Sequence, residues 1–323
     1  MKSISFFFAL TILFSKSFSQ TNNTAVTDWC NHPPREAFSK LKEIKGISHW
    51  FKVYSVGENL IAITEPYNFE EVISYLIIGK DKALLFDTGM GLDSISSVIK
   101  QLTQLPVTVL NSHTHPDHIG GNYEFRNILA MKTNFTLLHA KEGWSHDAIK
   151  WEVTKDAFCM QKLPGMDTAR YAIKPFHISR FVKDGDEIDL GGRKVQIISV
   201  PGHTPDAIAL LDKTNGYLFT GDTFYEGPIY LFAEETDIVA YEKSITKLAA
   251  LVPQVKTVFP AHNNPVCEPA RLTELKSNFD KLKQGSVKGE DKGQNTFLFK
   301  FQYFDYLIQK DQLEKLQKKG IAN

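Results

Sequence analysis

Four residues able to bind a metal or move a proton, His113, His115, Asp117 and His118, fall within six positions of the stretch running from Ser112 to Gly121. The chain of 323 residues carries only 10 histidines, so a density of three in one hexapeptide asks for a chemical reason. In an extended segment, residues two apart point the same way. His113 and His115 can therefore offer nitrogens to one ion while Asp117 and His118 turn toward another. Three more stretches supply partners: Pro201-Gly202-His203-Thr204, Thr220-Gly221-Asp222-Thr223 and Pro260-Ala261-His262. Each follows an apolar run with the pattern of a strand, which puts a His or Asp at a strand's carboxyl end, where loops converge.

Seven ligands are too many for one tetrahedral ion and enough for two if Asp222 is shared. The first ion would take His113, His115, His203 and Asp222, and the second Asp117, His118, His262 and Asp222. Zinc suits imidazole with one or two carboxylate oxygens, and iron or manganese can occupy the same O/N set. Two such ions roughly 3.5 Å apart hold a hydroxide between them at neutral pH. Hydrolysis would then need no Ser or Cys nucleophile.

The elements that must carry these residues come in two β-rich series. Strands are expected at 50–56, 60–64, 71–78 and 82–86, the last ending in Asp87-Thr88-Gly89. A helix follows at 92–105, and a short buried strand at 107–110 runs into the His cluster. Residues 141–155 read as an amphipathic helix. The stretch 122–183 reads as an insertion able to form a substrate wall, with Met160, Leu163, Met166 and Phe176 as apolar candidates. A second series has strands at 187–190, 194–199, 208–212, 217–220 and 257–259, with helices at 237–251 and 271–284. A polar linker at 286–294 leads to aromatic residues at 295–307, which are further candidates for an apolar groove at the site, and to a helical tail. Two β-rich halves with helices outside imply an α/β (α+β) chain folded as a four-layer αββα sandwich. The expected organisation is one domain over 20–323, with 285–323 as a C-terminal extension.

Composition narrows the partners. Hydrophobic residues make up 42% and charged residues 23%, as in a folded chain. Lys+Arg and Asp+Glu are both 37, so no global field draws the chain to nucleic acid or an anionic membrane. Residues 1–19 combine a positive start at Lys2, an apolar run over 4–14 and small residues before Gln20, the pattern of a cleaved export signal. The run is shorter than the roughly 20 apolar residues of a membrane span. Export to a periplasm or the medium is expected, with no stable membrane span. The three cysteines, Cys30, Cys159 and Cys267, allow at most one disulfide, and their pairing is open.

With His113-Thr114-His115-Pro116-Asp117-His118 followed by His203, Asp222 and His262, the chain resembles the metallo-β-lactamase-fold hydrolases over about residues 50–265. The resemblance implies two zinc ions and the four-layer metallo-β-lactamase sandwich. It also implies that Asp87 orients the metal loops. An aspartate at position 222 points away from true β-lactamases. Tyr225 lies three residues after Asp222, at the spacing where N-acyl-homoserine lactonases of this fold place a substrate-contacting tyrosine. The reading that follows is an exported dizinc lactonase with an acyl lactone as its small-molecule substrate. A metal-bridging hydroxide would attack the ring carbonyl, Tyr225 would contact that carbonyl, and Asp117 would return a proton to the departing oxygen. The alternatives are a broad esterase, a glyoxalase II-like thioesterase, an organophosphate or phosphodiester hydrolase, and a β-lactamase.

Overall fold

A computed structural model describes residues 35–159 and 168–321. The expected export segment, Cys30, Met160, Leu163 and Met166 therefore lie outside the described residues. The apolar runs at Ile73–Ile78, Ala83–Phe86 and Ile208–Asp212 show no polar alternation, the mark of strands buried on both faces, and all three are strands. Eight strands form the first sheet in chain order, from Lys42–Glu43 to Arg180–Val182. Pairing is antiparallel as far as Ala83–Phe86 and parallel beyond it, through Val107–Leu110 and Ile128–Met131. The second sheet runs in the order Thr257–Pro260, Tyr217–Gly221, Ile208–Asp212, Lys194–Ser199 and Glu187–Asp189.

Period-two alternation sorts the side chains of both sheets. Tyr75, Ile77, Leu84, Phe86 and Leu110 face Ile197, Leu210, Phe219 and Phe259 in one core between the sheets. Tyr75 meets Phe219 and Phe259 edge-on, with ring centroids 5.3 and 5.6 Å apart. The alternate residues Leu76, Leu85 and Val109 face outward and pack with the helix Ile95–Leu102. That helix buries Ile95, Val98 and Ile99 and is capped by Ser94, whose side chain accepts from Ser97 N–H. On the far side, Ala209, Leu211, Leu218 and Val258 pack with the helices Ile238–Leu251 and Ala270–Lys283. Buried positions in the first of these, Ile238, Tyr241, Ile245 and Leu248, recur every three or four residues, and each such apolar side chain contributes about 1.5–3 kcal/mol by its burial. The order of layers is helix, sheet, sheet, helix, as expected.

Three local expectations change. The single helix expected over 141–155 does not form: the helix Asn134–Glu142 ends where it should begin, and the rest is the short helix His146–Ile149 followed by the 3-10 turns Lys150–Val153 and Lys155–Ala157. Between the two helices Gly143 takes φ +67°, and a Cβ there would meet the Ile173 carbonyl oxygen at 1.9 Å. Trp144 and Ile173 exchange backbone hydrogen bonds at this break. The stretch 122–183 supplies two strands of the first sheet, Ile128–Met131 and Arg180–Val182, so it completes the sheet's parallel edge and is not simply appended to it. The aromatic residues at 295–307 are no groove either. They form the strands Thr296–Lys300 and Asp305–Gln309 of a third sheet with Pro228–Leu231 and Glu290–Asp291, and Phe299, Phe304 and Tyr306 are buried in the core against Tyr241. Phe176 is half-buried against the core outside the first sheet. Cys159 is disulfide-bonded and Cys267 is a buried free thiol. Among the described residues no helix is long and apolar enough to cross a membrane.

Candidate metal centre

All the expected ligands sit at carboxyl ends of strands. The strand Val107–Leu110 opens into His113 to His118, Lys194–Ser199 leads to His203, Tyr217–Gly221 to Asp222, and Thr257–Pro260 to His262. The neighbouring strand Ala83–Phe86 ends at Asp87, which takes φ +66°. A non-glycine residue reaches that region only when its surroundings hold it there. Here Asp87 Oδ1 accepts from Ser112 N–H at 2.6 Å, and Oδ2 accepts from His118 Nδ1–H at 3.1 Å. Thr88 N–H donates to the His118 carbonyl at 2.9 Å, and Gly120 N–H to the Gly89 carbonyl at 2.8 Å. The backbones touch so closely that a Cβ on Gly120 would lie 2.1 Å from Met90. The expectation that Asp87 orients the metal loop matches this geometry.

The outer ring nitrogens fix what the inner ones can do. His115 Nε2 lies 2.6 Å from Glu235 Oε1, His203 Nδ1 donates to the Tyr230 carbonyl at 2.8 Å, and His262 Nδ1 donates to the Glu70 carbonyl at 2.7 Å. Carbonyls and carboxylates accept and never donate, so each of these rings, with His118, carries one proton outward and turns inward the nitrogen whose lone pair would bind an ion. His113 Nδ1 pairs with Ser112 Oγ at 3.0 Å.

Those lone pairs converge on two points. His115 Nδ1 is 3.0 Å from both His113 Nε2 and His203 Nε2. His118 Nε2 is 3.3 Å from His262 Nε2 and 3.1 Å from Asp117 Oδ2. Asp222 lies between the groups, its Oδ2 3.1 Å from His262, 3.6 Å from His203 and 4.0 Å from His113. Asp222 Oδ1 is buried and makes no hydrogen bond of good geometry among the described residues, with His118 Nε2 3.4 Å away. Inward lone pairs at such distances repel unless a metal ion or a proton sits among them. A tetrahedral ion bound at about 2.0–2.1 Å would space its ligand atoms by about 3.3 Å, close to the spacings found. The two His/Asp clusters thus have the donor set of a binuclear metal site.

Electrostatics separates the two groups. Burial pulls His113 well below the usual imidazole range and His203 down to about 4. Burial also opposes charge on His262 and His118, yet the nearby carboxylates outweigh it: Asp222 and Asp117 bring His262 up to about 9, and Asp117, Asp222 and Asp87 hold His118 well above its ordinary value. Asp87 is raised by its own burial, which His118 and Ser112 only partly offset.

Tyr225 does sit beside the ligands, but its hydroxyl is not free for the expected carbonyl contact. Its ring packs on His262, with centroids 4.9 Å apart, but its hydroxyl donates to the Pro228 carbonyl within its own turn. The side chain is buried, and the donor meant for a substrate is already engaged. Sequence reasoning missed Glu235, Ser112 and the carbonyls of Glu70 and Tyr230. A carboxylate in a loop carries no spacing signal, and a carbonyl carries no residue signal at all.

The family model described as the Metallo-beta-lactamase superfamily matches residues 68–262. Among curated relatives, the acyl-coenzyme A thioesterase MBLAC2 of Gallus gallus is 27% identical over 71% of this chain and 86% of its own. The hydroxyacylglutathione hydrolase of Trichormus variabilis is 30% identical over 62% of this chain and 75% of its own. Among solved structures, a metallo-beta-lactamase family protein from Thermus thermophilus aligns with TM-score 0.53 at 20% identity, over 71% of this chain and 82% of that one. This last likeness is one of fold.

Proposed function

The chain belongs to the metallo-beta-lactamase superfamily, and from that premise we propose that it is a two-metal hydrolase of acyl thioesters, taking substrates of the acyl-coenzyme A or acylglutathione kind. The observation that carries the hydrolase is the convergence of inward lone pairs from His113, His115 and His203 and from Asp117, His118 and His262 on two points joined by Asp222. Two ions bound there, zinc by the ligand chemistry, would supply a water acidic enough to attack at neutral pH and a positive charge for the developing oxyanion.

The thioester class draws on the relatives and on the state of Asp117. Burial alone would raise its carboxyl, but His118 and then His262 outweigh burial and hold it below the ordinary range. An ionised Asp117 would ligate the second ion and accept the proton of the attacking water, and only then would it be an acid toward the leaving group. A thiol with a pKa of about 8.5 leaves readily as thiolate and asks little of an acid. The alkoxide of an opened lactone asks more. The support for a lactone rested on Tyr225, whose hydroxyl is taken by Pro228.

The test is a parallel assay of purified protein on short- and long-chain acyl-coenzyme A, a hydroxyacylglutathione, an N-acyl-homoserine lactone and a cephalosporin, with metal analysis of the same sample. Thioester turnover that dominates and disappears on chelation is expected. Lactone turnover without thioester turnover would return the lactonase reading. The export expected from residues 1–19 belongs to the same proposal: an exported product would begin near Gln20, and one retained with Met1 intact would overturn it.

A further inference from the structure

Asp206 follows His203 by three positions and is buried, with 3% of its surface exposed. Its carboxylate accepts three threonine hydroxyls: Thr204 on Oδ1 at 2.7 Å, and Thr114 and Thr136 on Oδ2 at 2.7 and 2.9 Å. All three threonines are buried. Their places in the chain give the contact its meaning. Thr114 stands between His113 and His115 and, with the two-residue period of extended backbone, points away from them. Thr204 is next to His203. Thr136 lies on the helix Asn134–Glu142, whose Phe135 ring faces His115 with centroids 6.0 Å apart.

The first cluster draws two histidines from a loop of the first sheet and one from a loop of the second, and the 3.0 Å approach of His203 Nε2 to His115 Nδ1 is where the two loops meet. None of the outer partners of these rings spans both loops: Ser112 and Glu235 hold the first pair, and the Tyr230 carbonyl holds His203. The carboxylate of Asp206 does span them, behind the ligands. The second cluster is held by other means, through Asp87 on His118 and the Glu70 carbonyl on His262.

We propose that Asp206 is a positioning residue for the first metal position alone, clamping the Thr114 and Thr204 loops so that His113, His115 and His203 reach one ion. The clamp rests on the two-metal reading of the site, so the experiment separates the two ideas. Metal-free protein is titrated with Co2+ while its visible absorption is followed, and the retained metal is counted after gel filtration.

The unaltered chain should take up two equivalents. Asp206→Ala should bind one equivalent with unchanged affinity and the other about 10–100-fold more weakly, the usual effect of losing a group that orients a metal ligand. Combining Asp206→Ala with His262→Ala, which removes a ligand of the second cluster, should leave no tight equivalent. Asp206→Asn should restore most of the loss, because an amide still accepts from one threonine and a rotated hydroxyl can accept from its nitrogen. Should Asp206→Ala not fold, the pair Thr114→Val and Thr204→Val removes the two clamped hydroxyls at nearly constant volume and should weaken the same equivalent. Two equivalents of unchanged affinity in any folded variant lacking the clamp, even with a lower melting temperature, would reduce Asp206 to a packing role and overturn the proposal. No cobalt uptake by the unaltered chain would overturn the two-metal reading itself, and this inference with it.

Discussion

The two ligand clusters are both built on imidazoles but face opposite electrostatic conditions. His113, His115 and His203 form an all-nitrogen set, and the His115 and Glu235 side chains keep 17% and 19% of their surface exposed. Asp117, His118 and His262 include a carboxylate, and His118 is fully buried on the buried Asp87. In the first cluster burial dominates and holds His113 and His203 below the ordinary imidazole range. In the second the carboxylates dominate and the rings are drawn toward the protonated state. The lesson is that a ligand's readiness depends on its neighbours more than on its type. The first cluster reaches solvent through His115 and Glu235, whereas in the second His118 and His262 must release protons to bind an ion.

The largest test of this contrast removes what the clusters share. Asp222→Ala takes an oxygen from both, and kcat/KM on the best substrate should fall by at least about 1,000-fold, or about 4 kcal/mol of transition-state stabilisation. A variant keeping a tenth of its activity would mean that the clusters work independently. Next come the outer partners. Asp87→Asn should weaken the second equivalent of metal by about 10–100-fold, and Glu235→Gln the first equivalent by about tenfold, since the glutamine amide keeps an acceptor for His115. Cobalt titrations in which both substitutions weaken the same equivalent would erase the distinction drawn here.

Protonation gives a subtler test. In the metal-free chain His262 titrates near 9, above its ordinary 6.5, so its contribution to stability is full below about 6.5 and is lost as pH rises through about 9. His203, lowered to about 4, does the reverse: stability is lost as pH falls from about 6.5 toward 4, because only the unfolded chain accepts that proton. Metal uptake at pH 7.5 should therefore release protons at the second cluster and few at the first. Calorimetric titrations in buffers of different ionisation enthalpy measure this, and equal release at both steps would contradict it. The smallest effect belongs to Tyr225→Phe, which should change kcat and KM by less than about twofold and cost about 1 kcal/mol of stability for the lost hydrogen bond to Pro228. A large rise in KM for lactones alone would return that hydroxyl to the substrate.

Much of the fold was legible because strands buried on both faces are written as unbroken apolar runs, as at 73–78 and 208–212, and because Asp237 opens the helix expected at 237–251, whereas the helix expected from 92 starts only after its cap at Ser94. The strands at 296–300 and 305–309 were not. Their aromatic residues suit a groove or a core equally, and only the pairing of Asp305–Gln309 with Pro228–Leu231 decides between them. The helix expected at 141–155 failed because helical periodicity is blind to a backbone pairing such as that of Trp144 with Ile173. Tyr225 shows the same limit at the scale of one side chain. Spacing put it beside Asp222 and His262, but spacing says nothing of where a hydroxyl finds its acceptor.

The sequence by itself determined the ligand types, their order and their attachment to strand ends, because these depend on residue identity and on local apolar patterning. The tertiary structure alone decided which nitrogen of each ring faces inward and which cluster is charged. Those outcomes depend on partners far away in the chain: Glu235 lies 120 positions from His115, and the Glu70 carbonyl 192 positions from His262. A proton goes where an acceptor has been brought. Bringing it there is the work of the two packed sheets.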